Sequence, residues 1–148
     1  SGIVSNGHLI YGHDGFAGEL GHVIIRRENG RQCGCGSKGC LETYTSATGV
    51  ARTAREFLET RSNEDVFAFT GQVLGEALAD FVKFSSPEAI ILFGGLAKSG
   101  DLLMKPLRQS MEDNLMPIFK GKVKLLFSEM KDADAAILGA SALAWELK

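Results

Sequence analysis

The chain has 148 residues, enough for one domain with a hydrophobic core. Hydrophobic residues make up 45% and charged residues 23%, and sixteen basic against eighteen acidic side chains give a formal net charge of −2. That balance is ordinary for a globular protein, and without a basic stripe it argues against a nucleic-acid surface. No apolar run reaches membrane-spanning length and no signal peptide opens the chain, so no membrane partner is expected and the protein is expected in the cytoplasm.

The chain opens without methionine, on "SGIV", which reads as a strand with nothing before it. It is therefore expected to be a piece of a longer protein. Ten of the eighteen glycines fall within the first 40 residues, so the front should be turn-rich and the back helical. "SGIVSNGHLIYG" has two short apolar runs around Asn6-Gly7, a strong hairpin signal. "HVIIRRENGR" is a third strand candidate, ended by a turn at Asn29-Gly30. Gln32 to Glu42 shows no periodicity. "SATGVARTAREFLETR" predicts a helix with Ser46 as N-cap and Val50, Ala54, Phe57 and Leu58 on one face. A longer helix is predicted over about Val66 to Phe84, where Val66, Phe69, Val73, Ala77 and Phe81 recur at helical spacing.

After Pro87, "AIILFGG" reads as a buried parallel strand ending in two glycines. "DLLMKPLRQSMEDNL" is helical, with Pro106 expected to bend or interrupt it. "VKLLF" is a second buried strand, and "DADAAILGASALAWEL" a small-residue helix whose Trp145 is expected to pack on the sheet. Phe67, Phe69, Phe81 and Phe84 are expected in the core. His8, His13, Lys98 and Asp101 are expected to be hydrated. Antiparallel strands followed by strand, helix, strand, helix define an α/β domain with a mixed sheet.

"CGCGSKGC" holds all three cysteines, Cys33, Cys35 and Cys40. An odd number leaves a thiol over from any closed disulfide framework, and the chain shows no secretory signal. The spacing is not C-x-x-C, which weakens a redox reading. The glycines let a short loop fold back so that three sulfurs converge. A structural zinc site needs a fourth nitrogen or sulfur, and His22, eleven residues before Cys33, is the candidate. The alternative is a set of ordinary buried or surface thiols. Glu19 and Glu42 flank the cluster, and ionised carboxylates suit vicinal hydroxyls. Either glutamate alone would read as a solvated surface residue. His22 can ligate through one ring nitrogen and offer the other to a ligand.

"GFAGELGH" followed by "CGCGSKGCLE" resembles the signature of the ROK family of bacterial sugar kinases and sugar-responsive repressors. The E-x-G-H element, the C-x-C-G-x-x-G-C loop and the following L-E stand in order. "PEAIILFGGLAKSGDLL" is similar to the family's nucleotide-side strand and loop, and "DADAAILGASALAW" to its C-terminal helix. The resemblance implies an actin-like, ribonuclease H-like ATPase domain with a mixed sheet flanked by helices and a zinc-binding loop at residues 22–40. Residues 1–148 would then be the C-terminal lobe of a sugar kinase.

The resemblance further implies His22, Cys33, Cys35 and Cys40 as ligands of a structural zinc, and Glu19, His22 and Glu42 on sugar hydroxyls. It implies Gly94 and Gly95 against the adenosine of ATP, with magnesium on the phosphates. Gly94-Gly95 also reads physically as a backbone that a ligand can approach, although such pairs serve as plain turns too. The family's N-terminal lobe, with its D-x-G-G-T motif and catalytic aspartate, has no counterpart here. No catalytic residue is expected in this chain, and the isolated fragment is expected to be inactive. "ETRSNEDVFAFTG" is shorter than in relatives, around residues 60 to 66. The implied function of the parent is ATP-dependent phosphorylation of a hexose, with a homo-oligomer expected. The alternative is the sugar-sensing half of a repressor, and only then would nucleic acid be a partner.

Overall fold

The structure, a computed structural model, describes residues 1–57, 62–130 and 132–146. Strands β1 (Val4–Ser5) and β2 (His8–Leu9) pair antiparallel, Val4 opposite Leu9 and Ser5 opposite His8. The two-residue loop is Asn6-Gly7, both at positive φ (52° and 79°), as the twist of a tight hairpin requires. His8 and His13 are exposed, as expected.

The third strand is a correction. Residues 23–31 form no ladder and contribute an isolated antiparallel bridge between Ile24 and Cys40. Their main chain is engaged by the cysteine loop instead: Ile25 and Arg26 N–H both donate to the Gly39 carbonyl, and Leu41 N–H to the Val23 carbonyl. A loop that returns on itself offers only scattered acceptors, so pairing stops after one bridge. The turn at Asn29-Gly30 is present, with Asn29 at φ 51°.

Helix α1 (Glu42–Thr45) is a single turn, and α2 (Ala47–Phe57) follows it directly. Ser46 Oγ accepts from Gly49 N–H at 3.1 Å, the expected N-cap contact. The most buried residues of α2 are Gly49 and Thr53, with Val50, Ala54 and Phe57 half-buried beside them. Leu58 lies outside the described residues, as does part of the shortened stretch at 60 to 66.

Helix α3 (Asn63–Ser85) starts on a capping box, in which Ser62 Oγ accepts from Asp65 N–H and the Asp65 carboxylate accepts from Ser62 N–H. It ends at Ser86 in the left-handed region, just before Pro87. Helix α4 (Asp101–Asn114) lies against it, and Pro106 stays inside α4 without ending it. The close approach of the two helices is set by Gly71 and Gly75. A Cβ on Gly71 would lie 2.8 Å from Pro106 Cγ, and one on Gly75 2.6 Å from the Leu107 carbonyl oxygen.

Strands β3 (Ala89–Leu92) and β4 (Lys124–Phe127) pair parallel, Ala89 opposite Lys124 through Leu92 opposite Phe127. Among the described residues, helices cover one face. Leu125 is buried and Ile90 and Leu92 pack on the helix core, whereas Ile91, Phe93 and Leu126 on the alternate positions are exposed. The strands are thus half-buried, where full burial was expected. The α/β character holds, with the antiparallel and parallel pairs in separate two-stranded sheets.

Two further expectations are corrected. Phe84 is 90% exposed because it falls on the outer face of the last turn of α3, whereas Phe67, Phe69 and Phe81 do pack against the core. Helix α5 (Asp132–Glu146) is exposed from residue 136 to 145, and Trp145 is 69% exposed rather than seated on the sheet. Its small residues permit close packing, but α3 and α4 already cover the helix-bearing face of β3 and β4.

Candidate metal and ligand site

His22 closes a short 3-10 turn (Leu20–His22) that begins after Glu19. The cysteine loop then comes back to it. Within the loop Cys33 N–H donates to the Ser37 carbonyl and Gly36 N–H to the Cys33 carbonyl. The Gln32 amide caps the carbonyls of Cys33, Gly36 and Ser37, each at 3.2 Å. Gly39, at φ 81°, passes so close to Arg26 that a Cβ would fall 1.8 Å from its carbonyl oxygen, so only glycine fits there.

These constraints gather one donor atom each from His22, Cys33, Cys35 and Cys40, all within 4.8 Å of one another. Cys35 Sγ and Cys40 Sγ are 3.6 Å apart, as are Cys33 Sγ and His22 Nδ1. A tetrahedral ion with Zn–S near 2.3 Å and Zn–N near 2.0 Å separates its ligands by roughly 3.5–3.8 Å. The four residues therefore fit a closed metal site of the zinc kind. No disulfide competes, since all three cysteines are free.

The thiols differ in acidity. Cys35 is drawn down to about 6, first by the Ser37 backbone N–H and then by its hydrogen bond with Cys33. For Cys33 the Cys35 backbone N–H pulls downward, but burial and its hydrogen bonds to the Glu42 carboxylate, Cys35 and Cys40 together push it up to about 12. Burial, and then Cys35, raise Cys40. The thiolate is thus favoured at Cys35 over Cys33 and Cys40, and a cation would have to displace the remaining thiol protons.

With Nδ1 turned to Cys33, His22 Nε2 faces two carboxylates, Glu19 Oε2 at 3.6 Å and Glu42 Oε2 at 4.0 Å. The Cys33 thiol donates to Glu42 Oε1 at 3.2 Å. Deprotonation of Cys33 by a metal would leave both Glu42 oxygens as acceptors. The three side chains are part-exposed, so the cysteine-histidine cluster presents an imidazole edge between two carboxylates to the outside. Such a surface can take several hydroxyls of one small molecule.

Gly94 and Gly95 are not part of this cluster. They follow β3, Gly94 at φ 97° and Gly95 opening a 3-10 turn (Gly95–Ser99), and a Cβ on either would meet nothing within 4 Å. Lys98 and Asp101 are exposed, and Asp101 lies 3.4 Å from Lys105. A cavity of about 470 Å³ between α3 and α4, bordered by Gln72, Glu76, Gln109 and Asp113, contains none of the candidate residues.

Sequence reasoning missed Arg31. It is 6% exposed and stacks over Tyr44, its guanidinium carbon 4.4 Å from the ring centre. It also meets Thr53 and Glu56 on α2. The only signal was an arginine two residues before Cys33, and no periodicity marks such a residue as buried.

The fold and the site together define an α/β domain of the actin-like ATPase class with a three-cysteine, one-histidine loop beside paired carboxylates. The sequence model of the ROK family matches residues 1–146, and the chain belongs to that family. It is 32% identical over 171 residues to a glucokinase of Thermotoga maritima, taking in 96% of this chain and 53% of that protein. It is 28% identical over 159 residues to a xylose repressor of Bacillus spizizenii, 98% of this chain and 41% of the repressor. Among solved structures, a ROK family glucokinase from Streptomyces griseus in complex with glucose and AMPPNP superposes with a TM-score of 0.81. The identity there is 26%, over 96% of this chain and 55% of that one. The chain thus spans about half the length of the curated relatives it matches, and these include both kinases and repressors. No described helix is long and apolar enough to cross a membrane.

Proposed function

We propose that this chain is the C-terminal lobe of an ATP-dependent hexose kinase of the glucokinase type. The observation that carries the reading is the His22 imidazole edge set between Glu19 and Glu42 and backed by three converging cysteines. Glu19, His22 and Glu42 would accept and donate hydrogen bonds to sugar hydroxyls and so fix which hydroxyl faces the phosphate. His22, Cys33, Cys35 and Cys40 would hold zinc, whose contribution is to fold the loop, since four protein ligands leave no open position for chemistry. The general base that takes the hydroxyl proton belongs to a part of the parent outside this chain. Gly94 and Gly95 would let adenosine pack against bare backbone, and their open surroundings support that role. Magnesium accompanies the ATP phosphates, because phosphoryl transfer depends on positioning and charge neutralisation. The parent would work in the cytoplasm as a homo-oligomer, and the isolated chain would not turn over.

The second reading is a sugar-sensing repressor, favoured by the repressors among the relatives. ATP-dependent phosphate transfer by the complete parent across a panel of hexoses separates the two. Turnover is expected, and sugar binding without turnover would transfer the assignment to the sensor. In the parent, Glu42→Gln is expected to weaken sugar binding on the order of tenfold or more while leaving zinc in place, read by calorimetry and metal content. Unchanged sugar affinity would remove Glu42 from the site.

A further inference from the structure

Arg31 ties three chain segments together at the base of the cysteine loop. One terminal nitrogen of its guanidinium donates to the Thr43 carbonyl at 2.8 Å and to the Gly49 carbonyl at 3.2 Å. The other donates to Thr53 Oγ1 at 2.8 Å and to Glu56 Oε2 at 2.6 Å. Its own carbonyl accepts from Gly39 N–H at 2.8 Å, and its N–H donates to Tyr44 Oη at 3.1 Å. Gly39 is the covalent neighbour of Cys40, and Thr43 that of Glu42. A metal-ligand cysteine and a carboxylate two residues apart are therefore both fastened to one residue.

The turn that carries Glu42 is too short to orient itself. Helix α1 has four residues, and an isolated turn of that length does not outweigh its own nucleation cost. Its direction comes from tertiary bonds, and from the loop side the buried Arg31 guanidinium holds its main chain at the Thr43 carbonyl, whereas the Cys33 thiol meets only the Glu42 side chain. The planar fork is essential to this: a lysine keeps the charge but, as a compact ammonium with three donors, cannot reach acceptors on α1 and on two turns of α2 at once.

We propose that Arg31 is a positioning residue for Glu42, transmitting closure of the cysteine loop to the turn that holds that carboxylate. The sugar consequence rests on the reading of Glu42 given above, whereas the coupling of loop to turn does not. The test uses the full-length parent and its Arg31→Lys and Glu56→Gln variants. The measurements are zinc content, hydrogen exchange of residues 41–45 with and without zinc, and the KM for D-glucose and for ATP. Arg31→Lys is expected to keep one zinc per chain, to lose the zinc-induced protection of residues 41–45, and to raise the KM for glucose about tenfold or more with the KM for ATP unchanged. Glu56→Gln removes only the more exposed end of the fork and should move the same quantities less. A lower melting temperature with wild-type protection and wild-type glucose KM in Arg31→Lys would reduce Arg31 to a space-filling tie and overturn the proposal. Should Arg31→Lys fail to fold, Glu56→Gln carries the comparison, and wild-type protection and KM in it have the same force. If the wild-type parent binds no hexose, the sugar-site reading fails, and the exchange measurement decides the coupling alone.

Discussion

Between residues 18 and 57 the buried side chains are Arg31, Cys33, Cys40, Leu41, Tyr44 and Thr53, most of them polar or sulfur-bearing. Between residues 66 and 125 they are chiefly aliphatic, with Val73, Val82, Leu103, Leu107 and Met111 almost inaccessible. The first part is held by directed contacts: a guanidinium fork, backbone bonds from Gly39, and a cluster shaped for a metal. The second is held by area, with α3 and α4 brought close by two glycines four residues apart. Directed contacts fix a few atoms to fractions of an ångström, which a recognition site needs, but each gives little net stability. Apolar burial stabilises by roughly 25 cal/mol per Å² and is indifferent to small rotations. The site-bearing part is therefore the one expected to depend on a ligand, and the core is the platform beneath it.

If that division is right, the largest effect follows from removing a metal ligand. Cys35 is exposed, so Cys35→Ser would cost nothing by lost packing. It is nevertheless expected to abolish metal binding and protection across residues 18–45 while α3 and α4 remain protected. Metal content and hydrogen exchange read this directly. Structural zinc in small domains is worth about 10–16 kcal/mol of apparent binding energy, so the loop should not survive its loss. No metal in the purified protein, with an unchanged melting temperature in Cys35→Ser, would mean that the cysteines are plain thiols.

The converse perturbation strikes the core. Gly75→Ala gains up to about 1 kcal/mol of helix propensity. It also sets a methyl group 2.6 Å from the Leu107 carbonyl oxygen, and backbone does not yield easily. Overpacking of this kind costs about 1–3 kcal/mol, so the net outcome should be destabilising in denaturant titration, with metal content unchanged. A stabilised variant would show that the helices can separate at no cost.

The smallest effect tests the seam between the two parts. Burial of Glu56 would raise its pKa, but hydrogen bonds from Arg31 and Arg52 outweigh it and hold the carboxyl below the usual value near 4.5. A group lowered in the folded state contributes stability that is complete above its unfolded pKa and is lost as pH falls through the folded value. Glu56→Gln should lower stability at neutral pH and flatten the acid limb of the stability curve. Because Glu56 is 45% exposed, the difference is discounted to about 1 kcal/mol or less. An acid limb identical to the wild type would mean that solvent screens the pair completely.

Much of this was legible in the residues. Asn6-Gly7 announces its hairpin, Ser46 its N-cap, and Cys33, Cys35, Cys40 and His22 their meeting, because each signal is local or depends on donor chemistry. The strand expected at residues 22–31 failed for a non-local reason: the apolar run was real, but the partner it met was a folded-back loop with few aligned acceptors. The burial of Arg31 left no trace either, since it is created by acceptors on α1 and α2, twelve to twenty-five residues away.

Turn chemistry, helical periodicity, the kind of ligand the cysteines suit and the family itself follow from residue identity, because they reflect backbone preferences and side-chain functional groups. Which face of β3 and β4 is covered, how closely α3 meets α4, and that an arginine joins the cysteine loop to the turn carrying Glu42 were decided only when the elements packed. Those outcomes depend on which surfaces come within a few ångströms of each other, and contact between distant segments is not written in the properties of either one alone.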